Sequence, residues 1–220
     1  MSTAADLTST SYALLGLLAV RPSTTYELAQ QMDRTLSRFW PRARSKVYEE
    51  PRKLVDRGLA AAAEGAVGRR RRTVYSITPK GRRALAAWVA APGQGPVLEF
   101  EQLMKVFFAD NGTTDDIRRT LLDTRAWAHE RTLVNVEVGR SYLEGRGLYP
   151  ERAAVNMLVG RFLDDFLECL DRWAEWAGET IETWPERPRD AAADPVAMEH
   201  SVRQAEDRAA RYEAPGGPDD

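Results

Sequence analysis

Cysteine and histidine are scarce in these 220 residues, which carry one Cys and two His. The lone Cys169 cannot close an internal disulfide, and together with His129 and His200 it supplies too few ligands for an ordinary zinc or haem centre. No metal and no cofactor is expected. Long hydrophobic runs are missing as well: the first apolar stretch, Tyr12 to Val20, lacks a basic flank before it and is far short of the roughly 20 residues that a membrane span needs. No targeting signal is visible, so neither export nor membrane insertion is expected, and a reducing, cytoplasmic setting fits the cysteine usage. The phrase Phe166, Leu167, Leu170 around Cys169 reads as the apolar side of a helix. There is no internal repeat. Nor is there a phosphate-binding glycine loop, since Gly65 and Gly68 precede an arginine run and a strand, whereas such a loop leads into a helix. The acid pairs Glu99/Glu101 and Asp164/Asp165 have spacings common on solvated helix faces, with no partner base in view. Catalysis is not expected.

What is present is a chain with 43% hydrophobic residues, enough to bury a core, and a lopsided charge. Residues 1–90 hold 16 Lys and Arg against 7 Asp and Glu, which leaves 15 against 26 for the remainder. A basic front suits a polyanion, because neutralising phosphates releases their condensed counterions.

Periodicity divides the front into short elements. A core helix opens after the polar run Thr8 to Ser11, sets Leu14, Leu15 and Leu18 at helical spacing and stops at Pro22. Thr24 stands three residues before Glu27, the spacing of a capping box, and Leu28 and Met32 follow at i, i+4. The bulky link Phe39, Trp40, Pro41 leads to a third helix from about Ser45 to Arg57, with Val47, Pro51 and Leu54 facing inward and Gly58 suited to a left-handed cap. The period then changes. Leu59 to Glu64 and Thr73 to Thr78 read as two strands joined by a Gly- and Arg-rich turn over Gly65 to Arg72. Pro79, Lys80 and Gly81 lead into an amphipathic helix carrying Leu85, Trp88 and Val89 on its inner side.

The cluster Pro92, Gly93, Gly95, Pro96 marks a domain boundary. Behind it, helices are expected over about Glu99 to Asn111, Thr114 to Glu144 and Pro150 to Thr183. In the last of these Val155, Val159, Phe162, Phe166, Leu170, Trp173 and Ala177 recur every three or four residues, a stripe suited to packing on another helix. Asp194 and Pro195 can cap one more helix, and Ala214 to Asp220 are expected to be disordered. The fold class is mainly α: a winged helix-turn-helix with a two-stranded β-wing in residues 1–95, an all-α unit in 96–184, and a charged tail in 185–220.

Three helices followed by a hairpin with a basic tip is the element order of a winged helix-turn-helix, in which the third helix enters the major groove of double-stranded DNA. If Val47, Pro51 and Leu54 point inward, Ser45, Glu49 and Arg52 point outward, flanked by Lys46, Tyr48 and Lys53. Tyr48 and Lys46 are the first candidates for base readout. Arg69, Arg70, Arg71 and Arg72 form the candidate wing contacts, and Arg42 and Arg44 are phosphate candidates.

Several phrases of the sequence resemble, in order, the landmarks of PadR-family regulators: Thr10 to Leu18 (TSYALLGLL), Tyr26 to Ala29 (YELA), Phe39 to Pro41 (FWP), Lys46 to Tyr48 (KVY), Gly58–Leu59, Val74 to Gly81 (VYSITPKG) and Lys105 to Phe108 (KVFF). The helical stretch 111–183 is similar in length to the Vir-type domain of larger members. The resemblance implies a cytoplasmic homodimer on a roughly palindromic operator, usually a repressor, released by a small molecule or stress signal. It assigns Phe107, Val155, Val159, Phe162, Phe166, Leu170 and Trp173 to the dimer interface. A hydrophobic or aromatic effector is expected against Trp127, Phe162, Phe166, Trp173 and Trp176. One departure stands out: Pro51 replaces the family's usual leucine inside the reading helix, where it deletes the hydrogen bond to the Val47 carbonyl. A kinked, continuous helix is expected, since Val47 and Leu54 keep their spacing. A helix restarting at Pro51 instead removes Lys46 and Tyr48 from the reading face. The alternative function is a winged-helix scaffold that binds protein and not DNA.

Overall fold

The computed structural model describes residues 7–40, 44–67 and 70–213, with the side chains of 44–46, 66–67, 70–71 and 213 outside that description. The chain divides into two compact units, Met1–Pro96 and Val97–Asp220.

The first unit is built around α1 (Ser9–Val20), which is closed at its start by a reciprocal box in which Thr8 and Ser11 satisfy each other's backbone donors at 3.1 and 3.2 Å. α1 is buried on nearly every side, from Thr10 and Ser11 through Leu14, Leu15, Leu17 and Leu18. A two-residue strand, β1 (Ser23–Thr24), follows, and α2 (Thr25–Thr35) starts on the expected Thr24–Glu27 box and buries Leu28 and Met32. α3 (Arg44–Asp56) runs through Pro51 without interruption, and Val47, Pro51 and Leu54 all face the core. The helix does not restart. Gly58 closes it at φ +69°, and the Leu59 N–H reaches the Leu54 carbonyl at 2.8 Å, a left-handed cap that a Cβ would strain. Leu14, Leu15, Leu18, Leu28 and Leu54 are among the fully buried side chains, each worth about 1.5–3 kcal/mol relative to exposure.

The wing differs from expectation. β2 (Ala60–Val67) and β3 (Arg70–Ile77) pair antiparallel all the way out to Val67 opposite Arg70, so of the expected turn Gly65 to Val67 and Arg70 to Arg72 are ladder, and Gly68 and Arg69 lie outside the described residues. Gly and a run of Arg favour a turn locally, yet Ala60 to Ala63 set a register that continues through Gly65 opposite Arg72. β1 adds a third strand by pairing Ser23 with Tyr75 and Thr24 with Val74. A two-residue strand has no period to detect. α4 (Pro79–Ala90) begins on the Thr78 cap. Leu85 packs on the core, and Trp88 stacks on Tyr12 with ring centroids 4.9 Å apart, whereas Val89, expected inside, is exposed because α4 has no neighbour on that side within the unit.

The second unit is helical: α5 (Glu101–Phe107), α6 (Thr114–Leu143), α7 (Ala153–Ile181) and α8 (Pro195–Glu213), with single 3₁₀ turns at Ala109–Asn111, Pro150–Arg152 and Pro188–Asp190. α6 and α7 pack along each other, and their buried residues form two small clusters, one of Ile117, Leu121, Ala174 and Ile181, the other of Ala128, Leu167 and Leu170. α8 starts on Asp194, whose carboxylate accepts from the Val196 and Ala197 N–H groups, as the Asp194–Pro195 pair leads one to expect. Residues 214–220 lie outside the described residues. Among the described residues no helix is long and apolar enough to cross a membrane.

Candidate nucleic-acid interface

The outward residues of α3 are where helical geometry puts them: Tyr48, Glu49 and Arg52 are exposed, and Glu49 lies 3.8 Å from the Lys53 ammonium. The backbone of Arg44, Ser45 and Lys46 forms the first turn of the same helix. Arg42 and Arg69 fall outside the described residues. Arg70, Arg71 and Arg72 belong to β3, not to a loop.

Tyr48 and Arg72 border a common space. They line one open cleft of about 450 Å³ with Thr24, Thr25 and Tyr26 at the start of α2 and Thr73 and Tyr75 on β3. Three elements distant in sequence thus contribute hydroxyls, a guanidinium and a helix N-terminus to one surface, and the short β1–β3 pairing is what brings α2 beside the wing. Glu27 sits at its edge. Its carboxylate accepts from the Thr24 N–H at 2.7 Å and the Thr24 hydroxyl at 2.8 Å, and Arg72 lies 3.9 Å away. The two Thr24 hydrogen bonds, then the Arg72 and Arg21 charges, hold the Glu27 carboxyl below its usual value, so it stays ionised beside the guanidinium.

The base of the wing is tied to the end of α3. Thr78 donates its hydroxyl to the Gly58 and Leu59 carbonyls at 2.8 and 3.1 Å, and Lys80 donates to the Arg57 carbonyl at 2.8 Å. Gly81 allows this closure, because a Cβ there would sit 2.1 Å from the Leu59 carbonyl oxygen. Glu50 is the residue that the periodicity misses. It follows two exposed neighbours, yet it is buried, accepts a hydrogen bond from the Ser11 hydroxyl of α1 and faces Lys53 at 3.5 Å. Its i+3 spacing from Val47 is the available signal, outweighed by its charge.

In the second unit the apolar stripe of α7 splits. Leu170 is buried in the unit's own core, and Trp173 packs against the Ile117 cluster and edge-on to Phe100. Phe166 is half-buried against the Leu167 cluster and Val159 is half-buried, while Phe107, Val155 and Phe162 are exposed. Cys169, expected among apolar neighbours, is exposed, because the buried row runs through Leu163, Leu167, Leu170 and Ala174. The five aromatics expected to share an effector pocket do not line the open groove along α6 and α7, which is bordered by Ala128, His129, Val136, Leu143, Leu167 and Asp171. Trp127 and Trp176 are exposed, the former with Arg131 above its ring at 5.6 Å. The acid pairs have plain partners: Asp164 accepts from Asn135, Asp165 from Arg161, and Glu101 pairs with Lys105.

Comparison with known proteins bears on the same segment. Residues 14–87 match the Transcriptional regulator PadR-like family. The "Probable transcriptional regulator Rv1176c" of Mycobacterium tuberculosis is 33% identical over 82 residues, covering 37% of this chain and 43% of that protein. The "Negative transcriptional regulator PadR" of Bacillus subtilis is 27% identical over 99 residues, covering 44% and 54% respectively. The matches thus span about half the length of these curated relatives. Among solved structures, Bacillus subtilis PadR in complex with operator DNA superimposes with a TM-score of 0.67 at 20% identity, covering 80% of this chain and all of that one. The same protein with p-coumaric acid gives a TM-score of 0.63 at 20% identity, covering 78% of this chain and 98% of that one. At that identity the likeness shows the fold.

Proposed function

We propose that this chain, whose residues 14–87 match the PadR-like family of transcriptional regulators, binds double-stranded DNA as a homodimer in the cytoplasm. The observation that carries the reading is the shared cleft: Tyr48 of α3, Arg72 of β3 and the start of α2 open on one side of the first unit. α3 lies in the major groove, where Tyr48, Glu49 and Arg52, with Ser45 and Lys46 a turn earlier, read base edges. Arg42, Arg44 and Arg69 to Arg72 neutralise phosphates, which fixes register without specifying sequence. A relative crystallised on operator DNA supports this assignment.

The exposed side chains Phe107, Val155 and Phe162, with Val159 and Phe166 beside them, are the proposed contact between protomers. Leu170 and Trp173 support that face from within. Pairing two first units makes the preferred operator near-palindromic. The regulator acts as a repressor, as the name of the Bacillus subtilis relative has it, and a hydrophobic or aromatic small molecule releases it. The p-coumaric acid complex of that relative supports an effector of this class. For the effector contact we keep the aromatics Trp127, Phe162, Phe166, Trp173 and Trp176.

Fluorescence anisotropy against the DNA upstream of its own gene, at several salt concentrations, tests the reading. Sequence preference together with a log-log salt slope of several units is expected. Weak binding without preference and with a flat salt response sinks it and leaves the protein-binding scaffold in its place.

A further inference from the structure

We propose that Glu27 acts as an electrostatic brake on DNA binding, a fixed carboxylate at the rim of the Tyr48–Arg72 cleft that repels backbone phosphate and weakens the complex with duplex DNA of any sequence; this rests on the DNA-binding reading. The two oxygens of that carboxylate have different tasks. Oε2 accepts from the Thr24 N–H at 2.7 Å and from the Thr24 hydroxyl at 2.8 Å, closing the start of α2, while Oε1 faces the Arg72 guanidinium at 3.9 Å. Thr24 is itself held by the sheet, where it pairs with Val74, two residues from Arg72. The carboxylate is therefore fixed relative to the wing strand.

The cation opposite is held more loosely. At 3.9 Å the Arg72–Glu27 contact is too long for a hydrogen bond, and the two side chains are 44% and 43% exposed. Exposed pairs of this kind contribute little, so Arg72 can leave for a phosphate at small cost. Glu27, tied to Thr24 by two hydrogen bonds, stays where it is. That asymmetry gives the sign of the effect. A carboxylate whose task is to aim Arg72 grips the guanidinium directly; this one is gripped from α2 and only overlooks it, leaving an ionised group where phosphates arrive. The Debye length at physiological ionic strength is about 8 Å, so a phosphate seated on Arg72 lies within reach of the Glu27 charge. Phosphate repeats along every duplex whatever its bases. The brake thus sets how tightly the protein binds, and base readout by α3 sets where.

Anisotropy titrations of the full chain carrying Glu27→Gln test this on two duplexes, the DNA upstream of its own gene and an unrelated sequence of equal length. Glutamine at this position keeps the reciprocal box with Thr24, so the charge alone is lost. At low salt the Kd should fall about three- to tenfold for each protomer engaged, by the same factor on both duplexes, and the gain should shrink as salt rises. Glu27→Asp, which keeps the charge, should show no such gain. Damage to the start of α2 lowers affinity, so an increase separates the charge from any structural role. Unchanged or weaker binding by Glu27→Gln overturns the proposal and leaves the DNA-binding reading intact. So does a gain that persists at high salt, is confined to one duplex, or is matched by Glu27→Asp. If neither the unaltered protein nor the variants bind either duplex, the DNA-binding reading fails and the brake fails with it.

Discussion

The first unit gathers most of its leucines into one core, and the second leaves many of its large apolar side chains exposed. Leu14, Leu15, Leu28 and Leu54 have no solvent-accessible surface, and one continuous cluster joins α1, α2, α3 and the wing. In the second unit two small clusters hold α6 against α7, while Phe107 is 78% exposed and Phe162 60% exposed. On the homodimer proposed above, the difference separates a unit stabilised by its own interior from one whose stability is tied to protomer concentration.

Five substitutions break or sharpen that contrast. The largest effect is expected for Leu14→Ala, which empties part of the first unit's core and should cost about 2–5 kcal/mol, read as faster hydrogen exchange of α1 amides. That cost should not vary with protein concentration; if it does, the first unit is not self-contained. Phe162→Ser should leave the circular dichroism of the monomer unchanged yet weaken dimerisation by about 2 kcal/mol, or roughly 30-fold. An unaltered sedimentation profile at low concentration moves the interface elsewhere.

Arg72→Ala should reduce the magnitude of the salt slope of DNA binding by about one unit on every sequence, whereas Tyr48→Phe should shift preference at a few base pairs with little change in slope. If the two variants behave alike, the division into phosphate and base contacts fails. The smallest effect is expected at Thr24. Thr24→Ala removes the cap of α2 at a cost of about 1 kcal/mol, and it also removes the hydroxyl that, after the Thr24 backbone N–H, does most to lower the Glu27 carboxyl. A carboxyl lowered in the folded state contributes stability above its ordinary value near 4.5, and that stability is lost as pH falls through the lower folded value. Acid titration of the first unit's stability should therefore be shallower in the variant. An unchanged acid limb detaches Glu27 from the fold's stability.

Local chemistry is legible in the sequence. The Thr24–Glu27 box, the Gly58 cap and the order of elements follow from residues a few positions apart, and each is present. Nonlocal geometry is not. The ladder through Arg70 to Arg72 depends on register inherited from Ala60 to Ala63, and β1 exists only because β3 offers it an edge. The stripe on α7 stands out in the sequence, but spacing alone cannot tell which of two adjacent rows meets α6, and Leu163 and Leu167 take that place. The cleft shared by Tyr48 and Arg72 joins positions too far apart in the chain for any spacing rule to connect.

Glu50 carries a consequence for how such a protein diverges. Its carboxylate pins α3 to α1 through Ser11, so the roll of the helix about its long axis is fixed by an interior latch. A change at Ser11, which never meets a base pair, can re-aim every outward side chain of that helix at once. On the proposed assignment of α3 to base readout, new sequence preferences are thus accessible from inside the molecule, while the outward side chains Tyr48, Glu49 and Arg52 stay as they are.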